Sequence, residues 1–275
     1  MKRAFSCTPS SIFMDAGLIP AKLFECQVAE SRPVGAYRQL ALVAPEIAYL
    51  AHPGQFLMAR LAGPALDPLL PRPMCVHDID SDLVKLLIDP VGKGTAALAE
   101  AEVGDRLSVL GPLGRGFDME GEGPAVVVGG GIGVSPLLLL TRALLQRGRE
   151  VRCVLGFRNR SQAVAAGLFP GAAIDLLTED GSAGRTGLVS EPLPGCLVRE
   201  EGNPAPEIFA CGPDAMLKAV ARIAADCGVR AQVSMDTHMA CGIGSCQGCV
   251  IPGPEAYRKT CIEGPVFDTR DLKWQ

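Results

Sequence analysis

The chain has no apolar run approaching the roughly 18 residues that a membrane-crossing helix needs, so none is expected. It also lacks a secretory leader pattern. Two cations, Lys2 and Arg3, open the chain, but Asp15 and Ser/Pro-rich turns interrupt any apolar stretch behind them. A cytoplasmic setting follows as the expectation. There is no long basic run, and the formal charge is −4. That argues against nucleic acid as a main partner. Only three histidines are present, His52, His77 and His238, and they read as structural or surface residues rather than ligands. No internal repeat or low-complexity tract appears.

Cysteine, by contrast, is plentiful, with eleven in the chain. Cys7, Cys26, Cys153, Cys196 and Cys227 are scattered singly and read as small buried hydrophobes in a reducing compartment. Four others are grouped. Cys241, Cys246, Cys249 and Cys261 stand at C-x4-C-x2-C-x11-C. Thiolates are soft ligands, and four of them saturate a small iron–sulfur cluster. The first arm matches plant-type [2Fe–2S] spacing. Gly242, Gly244 and Gly248 let the backbone turn its N–H groups toward such a cluster. A disulfide set and a zinc site are the alternatives. Without a secretory signal disulfides are disfavoured, and zinc prefers paired C-x2-C knuckles. His238, just before the array, is a candidate for tuning the cluster.

With 275 residues, 48% of them hydrophobic, the chain has material for about two domains. Residues 1–20 read as a loosely held extension. Residues 21–120 read as short strands broken by Gly and Pro, among them Lys22–Val28, Ala36–Val43, Phe56–Leu61 and Leu83–Ile88. One short helix fits there, near Thr95–Ala101. This predicts a small antiparallel barrel. Residues 121–235 alternate strand and helix. Strands are expected at Ala125–Val128, Val151–Leu155, Ile174–Thr178, Ile208–Cys211 and Gln232–Met235. Helices are expected at Val134–Arg147, Ser161–Ala166 and Asp214–Asp226. Buried strands alternating with helices predict a parallel sheet. The fold class is therefore a β-barrel plus α/β, followed by a small cluster module at residues 236–275.

Gly129-Gly130-Gly131-Ile132-Gly133 joins the first α/β strand to a helix. Such a turn admits a pyrophosphate to the backbone and the helix N-terminus. The second strand ends in Arg158-Asn159-Arg160, with no acid to hold a ribose. The pattern G-x-G-x-x-P thus departs from the dehydrogenase fingerprint and points to the nucleotide domain of ferredoxin reductases; a merely structural turn is the alternative. Arg158 and Arg160 leave NAD against NADP open. In the barrel segment, Arg72-Pro73-Met74-Cys75 and Gly92-Lys93-Gly94-Thr95 offer a cation and backbone donors to phosphates.

Together with Gln55-Phe56, Thr178-Glu179-Asp180-Gly181-Ser182, Cys211-Gly212-Pro213, Met239-Ala240-Cys241-Gly242 and Gly264-Pro265-Val266-Phe267, these motifs carry a resemblance. From about Lys22 onward the chain resembles electron-transfer subunits of dihydroorotate dehydrogenase B, within the ferredoxin-reductase superfamily. The resemblance implies FAD on Arg72, Pro73, Met74, Cys75, Leu87, Ile88, Asp89, Gly94 and Thr95. It implies NAD, as a diffusible acceptor, at Gly130, Gly131, Ile132, Gly133, Thr178, Asp180, Gly212 and Pro213. Cys211 falls beside the flavin and nicotinamide as the candidate catalytic position, acting by proximity rather than as a nucleophile. The resemblance assigns the [2Fe–2S] cluster to Cys241, Cys246, Cys249 and Cys261. It also implies a partner catalytic subunit with FMN, two of each in a heterotetramer, serving pyrimidine biosynthesis. Electrons would pass singly through the cluster, and pairwise from FAD to NAD+.

Two departures stand out. Cys75 occupies a place usually held by Ser or Thr, and Ile88-Asp89 replace an aromatic and a basic residue. Asp89 would repel a pyrophosphate unless it turned away. The other readings are an electron-transfer subunit of a sulfide dehydrogenase, hydrogenase or NADH-dependent ferredoxin:NADP oxidoreductase, or a redox-sensing protein without catalysis. Cys241 favours the dihydroorotate branch, because the related subunits tend to lack that first cysteine.

Overall fold

The computed structural model describes residues 21–63, 67–169, 171–199 and 202–274. The expected extension at 1–20 lies outside them. The first sheet takes strands β1 (Lys22–Val34), β2 (Tyr37–Val43), β3 (Phe56–Leu61), β4 (Arg72–Cys75), β5 (Asp78–Asp80), β6 (Leu83–Ile88) and β7 (Arg106–Leu113). Their order is β4-β3-β7-β1-β2-β6-β5, antiparallel throughout.

The connectivity explains why this sheet curls. Its edge strands β4 and β5 are consecutive in the chain, and Cys75 to Asp78 spans at most about 11 Å of backbone. Laid flat, seven strands would hold those edges roughly 29 Å apart. The sheet therefore rolls into a barrel. Its core is closed by Leu40, Leu42, Leu57, Val84, Leu86, Leu107 and Val109.

Among the described residues, two short helices accompany the barrel, not one. Helix α2 (Lys93–Ala99) answers the one expected near Thr95–Ala101, starting and ending two residues earlier; α1 (Pro45–Leu50) was not expected. Pro45 occupies its first turn, and Ile47 is its one buried residue. A six-residue helix with a single apolar anchor has no 3.6-residue period to read.

The second sheet contains β8 (Ala125–Gly130), β9 (Val151–Phe157), β10 (Ala173–Thr178), β11 (Arg185–Thr186), β12 (Glu207–Cys211) and β13 (Arg230–Ser234). All run parallel, in the order β11-β10-β9-β8-β12-β13. Helices α3 (Leu137–Gln146), α4 (Arg160–Ala163), α5 (Leu193–Cys196) and α6 (Asp214–Cys227) follow their strands. Alternate residues of β8 serve opposite faces: Ala125 and Val127 join one core, Val126 and Val128 the other. The all-apolar run of β8 follows from burial on both sides.

The last stretch holds β14 (Val250–Pro252), β15 (Tyr257–Lys259), α7 (Thr260–Glu263) and β16 (Val266–Asp268). Strand β16 pairs antiparallel with β13 and forms the sheet's final edge. The parallel sheet is thus finished by a strand from the segment read as a cluster module. Among the described residues, no helix is long and apolar enough to cross a membrane.

Candidate functional site

Strand β3 builds one floor of the site by alternation. Leu57 and Ala59 face the barrel core. Phe56 and Met58 face the other way, packed with Leu113, Cys249 and Cys261. Across the ladder, Phe56 pairs with Cys75 and Met58 with Pro73. Paired residues share a face. Pro73 and Cys75 therefore share the face on which the cysteine loop packs, one strand spacing of about 4.8 Å from Met58 and Phe56.

Cys241, Cys246 and Cys249 lie in the loop before β14, and Cys261 meets it from α7. Among the described residues, no three His, Cys, Asp or Glu side chains converge as one metal ion would need. The sulfurs pair instead: the Cys241 thiol contacts Cys246, and the Cys249 thiol contacts Cys261. Two pairs suit a two-iron cluster with four thiolates. Backbone donors surround them. The Gly244 N–H donates to Cys261 Sγ at 3.1 Å, and the Cys246 N–H to Cys241 Sγ at 3.4 Å. Burial pushes the Cys241 thiol up, but the N–H groups of Cys246, Ile243 and Ser245 and the Cys246 thiol together bring it down to about 7. Burial, reinforced by Cys249, pushes the Cys261 thiol up to about 12.

Arg72 lies flat on the start of α2. A Cβ added to Gly94 would run into the Arg72 guanidinium, so only glycine allows this approach. The Thr95 hydroxyl accepts from the Gly92 N–H at 3.0 Å. Arg72 Nη1 donates to the Leu70 carbonyl. A cavity of about 100 Å³ opens between Arg72, Gly94, Leu98, Asp67 and Leu70. The donor set fits a pyrophosphate. Leu87 and Ile88 are buried in the cores. Asp89 lies within electrostatic reach of Arg158; burial raises its carboxyl while Arg158 pulls it back. Arg158, just past the end of β9, is thus the cation that faces Asp89.

The Gly-rich turn lies at the C-terminal ends of β8 and β12, where open α/β sheets bind ligands. Its glycines have different reasons. Gly131 has φ 55° and open space beside it. A Cβ on Gly133 would come 2.5 Å from the Cys211 carbonyl oxygen, and one on Gly130 would strike Met216 Sδ at 2.6 Å. Close packing against Cys211-Gly212-Pro213 and α6 therefore requires those two. Thr178 is fully buried, and its hydroxyl donates to the Ala183 carbonyl at 2.7 Å. Asp180 accepts from the Ser182 hydroxyl at 2.6 Å and its N–H at 2.9 Å. Both side chains shape their own loop. A larger cleft, about 590 Å³, is lined by Glu120, Arg147, Arg149 and Glu150. It sits at the opposite, N-terminal ends of the strands.

Between the two sheets stand Cys75 and Cys211. Burial pushes the Cys75 thiol up to about 12, and Asp236 adds to the effect. Burial raises Cys211 well above the ordinary range, helped by Cys75 and Asp236. Both stay neutral thiols, which makes them poor nucleophiles. Asp236 itself is raised by burial, with His238 pulling it down. Neither Asp236 nor Tyr37, whose buried Oη has no partner among the described residues, stands out in the sequence. Nothing in their local sequence marks them; the fold brings Asp236 to Cys75 and Cys211, and Tyr37 to Asp89 and Arg158.

A family model described as the iron–sulfur cluster binding domain of dihydroorotate dehydrogenase B matches residues 236–273. The electron transfer subunit of dihydroorotate dehydrogenase B (NAD(+)) from Desulforamulus reducens is 36% identical over 241 residues, covering 84% of this chain and 90% of that one. Its counterpart from Geobacillus thermodenitrificans is 39% identical over 238 residues, covering 83% and 90%. The chain belongs to this family. Among solved structures, an NADH-dependent reduced ferredoxin-NADP oxidoreductase superposes with TM-score 0.80 at 26% identity, covering 90% of each chain. A ferredoxin NADP+ reductase from Neisseria gonorrhoeae with bound FAD and NADP shares the fold, with TM-score 0.61 at 18% identity, covering 76% of this chain and 92% of that one.

Proposed function

We propose that this family member passes electrons from an FMN-containing dihydroorotate dehydrogenase subunit through a [2Fe–2S] cluster and FAD to NAD+, in pyrimidine biosynthesis. One observation carries the reading. The cysteine loop and the Pro73–Cys75 strand share one face of one sheet, with Phe56 and Met58 between them. That arrangement suits two redox groups held a short step apart.

Residues 21–120 hold FAD in this reading, residues 121–235 hold the nicotinamide nucleotide, and residues 236–275 hold the cluster. Arg72 and the Gly94–Thr95 turn grip the pyrophosphate, and Pro73, Met74 and Cys75 line the flavin. Leu87, Ile88 and Asp89 contribute through backbone and edge contacts. The turn from Gly130 to Gly133 receives the nucleotide, closed by Gly212 and Pro213, with Thr178 and Asp180 fixing the neighbouring loop. Cys241, Cys246, Cys249 and Cys261 hold two irons. When bound, the cofactors supply hydride and single-electron chemistry; the protein supplies position and electrostatics. Cys211 and Cys75, kept neutral by burial, pack the reacting face without adding charge. The catalytic subunit docks where the cluster loop reaches the surface, at exposed Cys246 and Ile243, in a complex of two copies of each chain. A cytoplasmic setting suits the free thiols.

A second reading draws on the structural likeness to the ferredoxin-NADP oxidoreductase. The four-cysteine set favours the first. The test is anaerobic co-purification of the tagged chain from its host, assayed for dihydroorotate-dependent NAD+ reduction. Activity with an FMN protein is expected. A different redox partner without that activity overturns the substrate.

A further inference from the structure

The two sheets are joined just beyond Cys75. His77 is fully buried. Its Nδ1 donates to the Ser135 carbonyl at 2.8 Å, and its own carbonyl accepts from the Leu139 N–H at 3.1 Å. Leu139 lies in the first turn of α3, where N–H groups have no partner inside the helix. The Pro136 N-cap supplies no side-chain bond. The continuation of β4 therefore caps, from the other sheet, the helix that follows the Gly-rich turn.

Asp78 adds charge. Its side chain is 7% exposed, and Arg142 Nη1 meets its two oxygens at 2.6 and 2.8 Å. Lys85, from β6 of the barrel, approaches at 3.3 Å. Arg142 stands three residues after Leu139, so both lie on one side of α3. Consecutive residues of the barrel thus grip successive turns of one helix.

The grip has a consequence for the site. The Ser135 N–H bonds to the Ile132 carbonyl at 2.9 Å, closing the Gly-rich turn. Gly133 in that turn packs on Cys211. Two residues of chain lead from Cys75 to His77, which bonds Ser135; two more lead back from Ser135 to Gly133, which packs on Cys211.

We propose that His77, Asp78 and Arg142 form a positioning clamp, which sets how closely the Cys75 strand approaches the Gly-rich turn. It thereby sets the approach of flavin and nicotinamide, and in this it rests on the functional reading above. The three residues act through β4 and α3. A plain domain contact contributes stability alone; a clamp also sets a distance on which transfer depends. Arg142 is the residue to change, because Asp78 keeps Lys85 and is not stranded as a buried charge. Both Arg142 bonds come from one nitrogen, so a lysine ammonium can replace them.

The experiment compares holoprotein, R142Q and R142K. It measures FAD and iron content, NADH–ferricyanide kcat and KM, and the long-wavelength absorbance of nicotinamide stacked on flavin. R142Q is expected to keep FAD and iron. Its kcat should fall roughly tenfold with KM within about twofold, and the absorbance should fall in step. R142K should recover most of both. Unchanged kcat and absorbance in R142Q overturn the clamp, as does a loss traced to missing FAD or to KM alone. If the wild-type protein itself binds no FAD or gives no nicotinamide absorbance, the functional reading fails instead.

Discussion

Gly242 of the cysteine loop lies directly on Met58 of β3. A Cβ there would come 2.6 Å from Met58 Cγ and 3.0 Å from a Leu113 methyl. Its φ is also 71°. Gly242→Ala should therefore destabilise the loop by roughly 2–4 kcal/mol, from backbone strain and overpacking together. Gly248 gives the contrast: its added Cβ meets nothing nearer than Cys246 Sγ at 3.6 Å. Iron per chain and melting temperature should fall for Gly242→Ala and hold for Gly248→Ala. Equal losses would show that the loop's seat on β3 is not what demands glycine.

The ligand cysteines differ in burial. Cys249 is 2% exposed and packs with Phe56 and Met58, whereas Cys246 is exposed. Cys249→Ser should abolish dihydroorotate-dependent NAD+ reduction and also lower the melting temperature. Cys246→Ser should abolish the same reaction with a smaller thermal effect. NADH–ferricyanide activity should survive in both. Intact dihydroorotate-dependent turnover in Cys249→Ser would rule out the cluster route.

Some of this was legible from residues alone, for physical reasons. The expected strands Phe56–Leu61 and Leu83–Ile88 coincide with β3 and β6, because alternation and Gly/Pro boundaries are local signals. The pairing of β16 with β13 was not legible. A three-residue strand has too short a pattern, and its partner lies about thirty residues upstream. Gly130 and Gly133 were noticed as ligand glycines, yet their near neighbours are Met216 and Cys211. Packing reasons of that kind exist only in three dimensions. Asp236 stayed unmarked, and His77, read as structural or surface, could not be placed in the seam, because each owes its environment to the opposite sheet.

Glu207 is a second place where distant elements meet. It is buried at the start of β12 and faces Arg230 at 3.0 Å and Arg149 at 3.5 Å. Gln232 Nε2 donates to it at 3.0 Å. Arg230 continues to Asp118 at 2.9 Å and to Asp268 of β16 at 3.6 Å. Glu207→Leu would leave Arg149 buried without its carboxylate, a change that costs about 3–5 kcal/mol. Chemical denaturation should register that loss. Hydrogen exchange should rise at β16, which the network helps to hold. Unchanged exchange at β16 would limit the network to the core sheet.

His77 makes stability depend on pH in a range of its own. Burial pushes its imidazole from 6.5 down to about 4; the Ser135 carbonyl and Asp78 oppose that, and Lys85 and Arg32 add to it. The folded protein therefore resists a proton that the unfolded chain accepts. Stability from this group is complete above about pH 6.5 and is lost progressively as pH falls toward 4. The full loss is about 3 kcal/mol at most. Asp118, Glu263 and Asp268, held below their ordinary values of 3.8, 4.5 and 3.8, lose stability as pH falls through and below those values, overlapping the acid end of the histidine range. Asp89 and Asp236 are raised and act with the opposite sign. Subtracting a His77→Gln curve from the wild-type curve isolates the histidine. The difference should be steepest between pH 6.5 and 4, with the variant the flatter of the two. Parallel curves across that interval would mean that His77 is protonated in the folded protein, and its bond to Ser135 would then be one of a charged imidazolium.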